Sequence, residues 1–122
     1  MHIFLPAPDE HVAIGVLRLV LRIPGSRSLK DRRRVVASVR DRIVARHRAS
    51  VADVGHLEAH DAAVMAVSVV GHDPRQVQAL LDAVRADIVA TADALVTDTQ
   101  LDVHTWPALS PLTHPVVPPH GS

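Results

Sequence analysis

A four-stranded α+β sandwich in the order βαββαβ is the fold that this 122-residue sequence predicts. Three observations carry it. Residues His11 to Ile23 alternate with a period of two, as a strand with one fully buried face must. Two later stretches, one after Ser28 and one after Asp73, repeat their apolar residues at the helical period. Short apolar runs bounded by turn residues fill the places between and after them.

The first strand carries Gly15, Leu17, Leu19, Leu21 and Ile23 on one face and Ile14, Val16, Arg18, Val20 and Arg22 on the other. Pro24-Gly25 stops it with a turn. Ser28 is suited to cap a helix, and Asp31 three residues later makes a capping-box-like start. Leu29, Val35, Val36, Val39 and Ile43 then fall on one side of a helix that ends near Arg48. A short strand follows from Ser50 to Val54, then a polar loop from Gly55 to Asp61, then a third strand from Ala62 to Val70. The second helix is announced by Asp73-Pro74, with an acidic cap, proline at the first helical position and Gln76 to complete the box. Its buried stripe is Val77, Leu80, Leu81, Val84 and Ile88, and a last strand runs from Val96 to His104. The domain is thus expected over 11–105, after a flexible N-terminus at 1–10. Five of the nine prolines fall in 106–122, which reads as a disordered tail.

This order is the split-βαβ, ferredoxin-like arrangement, an antiparallel sheet with two helices on one face. The leucines of the first strand should meet the helices. The expected core is Leu17, Leu19, Leu21, Val36, Val39, Ile43, Val67, Val69, Leu80, Leu81 and Val84. Arg18 and Arg22 should lie on the open face with Val16, Val20, Val64 and Val70, an apolar patch of the kind that marks a protein interface or homodimer.

Composition narrows the function classes. The chain has no cysteine, which excludes disulfides and thiolate metal sites and suits the cytoplasm. No apolar run approaches the roughly 20 residues that span a bilayer, and residues 1–10 lack the basic start of a secretory signal. A cytoplasmic protein with no membrane partner is expected.

Formal net charge is zero, but the charges are segregated. Of 13 basic residues, 11 lie between Arg18 and Arg48, opposed only by Asp31 and Asp41, a net of +9; the remaining residues carry −9. Such a split points to nucleic acid or another polyanion, unless the two parts neutralise one another on folding. Arg27, Lys30, Arg33 and Arg34 crowd the start of the first helix, where cations oppose the helix dipole and acids are the usual choice. Lys30 and Arg34 share a face, Arg33 lies to the side, and Arg32 points toward the apolar stripe. Free backbone N–H groups at that helix end would add attraction for phosphate. The candidate nucleic-acid-binding set is therefore Arg18, Arg22, Arg27, Lys30, Arg33 and Arg34. Of these, Arg18 and Arg22 also face Asp98 and Asp102 on the neighbouring strand, so cross-strand pairing competes for them. Base stacking on the sheet is not expected, because Phe4 and Trp106 are the only aromatic residues and neither lies in a central strand.

Other chemistries find less support. His56 and His60, with Glu58 and Asp61 and with His72 approaching from the third strand, offer metal-ligand types, but a solvated loop explains them better, so no metal is expected. No nucleophile-elbow pattern or phosphate-cradling glycine loop is present, Ser28 is explained as a cap, and Asp53 and Glu58 read as ordinary surface acids. Neither an enzyme nor a cofactor is expected.

The run Leu17-Arg18-Leu19, then Leu21-Arg22-Ile23-Pro24-Gly25-Ser26-Arg27-Ser28-Leu29-Lys30-Asp31-Arg32-Arg33, resembles the YlxP-like family (domain of unknown function 503). Ser50 to Val54 and Met65 to Val70 continue the resemblance, which spans roughly 12–104. It implies a single ferredoxin-like domain with no established catalytic residues. It also implies bacterial genes that sit beside those of translation initiation and ribosome-maturation factors. Members tend to carry lysine where Arg32 stands, glutamate where Asp53 stands, and a glutamine- or aromatic-containing segment where His56 to Asp61 stands. The expected function is binding of structured RNA or the ribosome through the basic helix start. The alternative is a protein-interaction module or homodimer acting through the open sheet face.

Overall fold

Alternation in the first strand decides the layers of the molecule. In the computed structural model, which describes residues 9–91 and 93–106, Leu17, Leu19 and Leu21 are buried while Val16, Arg18 and Arg22 are exposed. The register is the predicted one. The elements are β1 (Val12–Arg22), α1 (Leu29–Arg46), β2 (Ser50–Gly55), β3 (Ala62–Gly71), α2 (Pro74–Val89) and β4 (Leu95–Trp106). They form one sheet in the order β2-β3-β1-β4 with every neighbouring pair antiparallel. This is the ferredoxin-like sandwich, with β1 and β3 central and both helices on one face.

The inward side chains of β1 and β3 meet Val36, Val39 and Ile43 of α1 and Val77, Leu81, Val84 and Ile88 of α2 in one core. Of the expected core residues only Leu80 sits at the margin, half-buried; Leu29 and Val35 of the expected α1 stripe are half-buried too. β4 extends through Trp106, one residue into what the sequence assigns to the tail, because Trp106 still pairs with Val12. Expectations for residues 1–8 and 107–122 lie outside the described residues.

Two local choices set how closely the layers approach. Asp73 caps α2 by accepting from the Arg75 amide at 2.9 Å, with Pro74 next to it. α2 then lies so close to β1 that a Cβ at Gly15 would stand 2.5 Å from Leu81 Cδ1 and 2.6 Å from Val77 Cγ1. Absence of a side chain at Gly15 is what lets the helix seat. Gly15→Ala should therefore destabilise by about 1–3 kcal/mol through overpacking, seen as a lower urea midpoint with an unchanged slope.

Candidate nucleic-acid interface

One end of the sheet gathers three connections. β1 ends there and turns into α1, β2 turns into β3 there, and α2 returns there to start β4, with Arg22 opposite both Ala62 and Leu95. The start of α1 is built by reciprocal caps. Ser28 Oγ accepts from the Asp31 amide at 3.0 Å, and the Asp31 carboxylate accepts from the Arg27 amide at 3.1 Å. That carboxylate stands among the helix-end amides, where a bound anion would compete with it. The expected contribution of free backbone N–H groups is correspondingly reduced, and the positive character of this end comes from side chains.

The segregated charge is partly neutralised by folding. Arg18 reaches Asp98 at 3.5 Å, Arg32 reaches Asp53 at 2.7 Å, and Arg34 reaches Asp31 at 3.2 Å. Arg40 pairs with Asp41, and Arg42 and Arg46 share Asp87. Cross-strand pairing thus holds for Arg18, though diagonally, since Asp98 is directly opposite Val20. It does not extend to Arg22 and Asp102. Asp102 lies opposite Val16, six residues and about 20 Å along β1 from Arg22, and its carboxylate is 3.1 Å from His104 Nε2.

What remains is a set gathered at one end of the sheet. Arg22, Arg27, Lys30 and Arg33 are exposed, and none of them makes an ion pair among the described residues. All four lie on the last residue of β1, the turn after it, or the first turns of α1. Arg48, also without an ion pair among the described residues, lies beyond the far end of α1. Arg34 is the weaker member of the expected set. It lines a cleft of about 350 Å³ together with Ile23, Pro24, Ser26, Asp31 and Asp93, where two carboxylates outweigh one guanidinium and disfavour phosphate.

Arg32 has a different role from its neighbours. It occupies the inward position one helical turn before Val36 and is only 1% exposed. Its Nε donates to the Ala62 carbonyl at 2.8 Å, Nη1 to Asp53 Oδ2 at 2.7 Å, and Nη2 to Asp53 Oδ1 and the Gly55 carbonyl, each at 3.0 Å. One guanidinium thereby ties α1 to the end of β2 and the start of β3. Asp53 is therefore not the ordinary surface acid the sequence suggests. The signal was present: Arg32 falls on the Val36, Val39, Ile43 stripe, and Asp53 alternates with Val51 on the inward side of β2. Two of the three departures that the family resemblance marks are the two ends of this one pair, a longer cation matched to a shorter acid.

Asp87 on α2 collects Arg42 at 2.8 Å, Arg46 at 3.2 Å and His47 Nε2 at 3.1 Å. Donation from Arg42 is the chief reason its carboxyl lies below the ordinary value of 3.8; burial opposes the shift and is outweighed with the help of His47 and Arg46. A carboxylate held below its unfolded pKa stabilises the fold above that value and loses this as pH falls through the folded pKa. Asp87→Asn should lower stability at neutral pH. The gap between variant and parent should close in acid below about pH 3.8, as chemical denaturation across that range will read.

Among the described residues no group of three or more histidine, aspartate or glutamate side chains is arranged to hold a metal ion. His56 and His60 are in the β2–β3 loop, but His72 does not approach them. It follows Gly71 at the opposite end of β3, roughly 30 Å away along the ten-residue strand, where its Nε2 is 2.7 Å from the Asp9 carbonyl. No helix among the described residues is long and apolar enough to cross a membrane.

The family model described as Protein of unknown function (DUF503) matches residues 14–101. The chain belongs to that family. The DUF503 match covers the basic helix start, the Arg32–Asp53 pair and the β2–β3 loop. No curated protein matches the chain.

Proposed function

We propose that the protein is a non-enzymatic, cytoplasmic RNA-binding protein that holds structured RNA by its phosphates, in an accessory role in ribosome maturation or translation. The observation that carries this reading is the group of four exposed cations, Arg22, Arg27, Lys30 and Arg33, left without ion-pair partners among the described residues while most other basic side chains of the segment are paired. Leaving cations together raises the local potential, and phosphate oxygens are the groups best suited to lower it. The gene neighbourhood implied by the YlxP-like resemblance supports a ribosomal setting. Affinity is expected from backbone contacts and helix shape, because the sheet offers no aromatic stacking platform in its central strands. Tagged protein recovered from cells should bring RNA with it, and nuclease treatment should release the associated material. Recovery of the same partners with and without nuclease, and without RNA, would remove the reading.

A second reading, self-association or protein binding through the open sheet face, is favoured by one observation. Val16 and Val70 are 40% and 69% exposed there, although Val64 of the expected patch is buried and Val20 half-buried. Sedimentation at micromolar concentration separates the readings, because apolar association persists in high salt and phosphate binding does not.

A further inference from the structure

The loop joining β2 to β3, residues 56–61, stands beside the unpaired cations and is tied there at both ends. On one side the Ile23 amide donates to the Asp61 carbonyl at 2.8 Å, directly after Arg22. On the other, Arg32 Nη2 donates to the Gly55 carbonyl at 3.0 Å, one residue before the loop begins. Inside the loop His56 adopts a left-handed φ of 56°, and the Ala59 amide closes a turn on the His56 carbonyl at 3.1 Å. His56 and His60 are both exposed.

We propose that this loop is a second phosphate-contacting element of the same surface, with His56 and His60 as its contacting side chains. The inference rests on the RNA reading above and adds to it a contact the basic segment does not contain. An imidazole N–H donates to a phosphate oxygen in either protonation state, and the imidazolium adds a charge. The loop's own acids, Glu58 and Asp61, set its balance. With neutral imidazoles the loop carries two negative charges toward the RNA; with both protonated it carries none. Arg22, Arg27 and Lys30 on the adjoining elements remain charged throughout, Arg32 and Asp53 are occupied with each other, and β3 has no charged side chain. Protonation of the imidazoles therefore strengthens the contact, and pH is the variable that reads it.

The test is binding of a fluorescently labelled RNA hairpin to the full chain at pH 8.0 and pH 6.2, each over a salt series. The expected result is affinity about tenfold higher at the lower pH, with a salt slope steeper by about one to two units, since each added phosphate contact contributes about 0.9. The double variant H56N/H60Q should lose this pH difference. Asparagine is chosen at position 56 because it tolerates the left-handed backbone. If thermal melts show the double variant misfolded, His60→Gln alone, at an ordinary backbone position, should lose about half of the effect. Binding that is equally tight at both pH values, or a pH difference that survives the substitutions, overturns the proposal and leaves the RNA reading standing. Absence of RNA binding at either pH overturns both.

Discussion

Asp53→Ala should destabilise the protein by about 3–5 kcal/mol, the cost of leaving a buried charge without its partner. The Arg32 guanidinium is 1% exposed, so water cannot replace the two carboxylate oxygens it now holds at 2.7 and 3.0 Å. Against a net stability of about 5–15 kcal/mol for a domain of this kind, that is a large share. Arg32→Lys should also be costly, because an ammonium cannot reproduce a planar fork that spans Asp53, Ala62 and Gly55. The double replacement R32M/D53L should recover most of the loss, since apolar side chains of similar volume remove both charges together. Denaturant melts of R32M, D53L and R32M/D53L form a cycle whose coupling energy should exceed 2 kcal/mol, near the upper range for residues in contact. Additive losses would mean that the pair is incidental to the fold.

The fold was legible because its signals are local and repeat. Period-two alternation from Ala13 to Ile23, the Ser28 and Asp73 caps and the two helical stripes each depend on residues within a few positions of one another, and all agree. The site was legible only in part. Charge segregation is visible in the chain, but which cations remain unpaired depends on register and chain reversal. Arg18 finds Asp98 only because β4 returns beside β1, and Arg42 and Arg46 meet Asp87 only because α2 packs on α1. The Arg32–Asp53 pair joins residues 21 apart in sequence; a single charged residue on an apolar stripe is a cue to look for a partner, but it does not name one. Its position after a strand suggests that His72 approaches His56, and the length of β3 carries it to the other end.

Reversing charge at Lys30 and Arg33 together should cost more RNA affinity than any other pair of substitutions on the surface. Both side chains are exposed and point away from the core stripe, so K30E/R33E should melt like the parent. Two cations are lost and two anions gained beside Arg22 and Arg27. If four phosphates are neutralised in the parent, log affinity falls with log salt at a slope of roughly −3.6, and raising salt from 50 to 200 mM weakens binding by about a hundredfold. Each removed contact should flatten that slope by about one unit. Phosphate binding by the basic helix start is therefore read most directly from the salt dependence of structured-RNA binding for the parent and K30E/R33E, compared with heparin at matched salt. The expected result is a parent slope near −3.6, a variant slope shallower by about two units, and RNA held more tightly than heparin. A correctly folded K30E/R33E that binds RNA as tightly as the parent and with the same slope would contradict it.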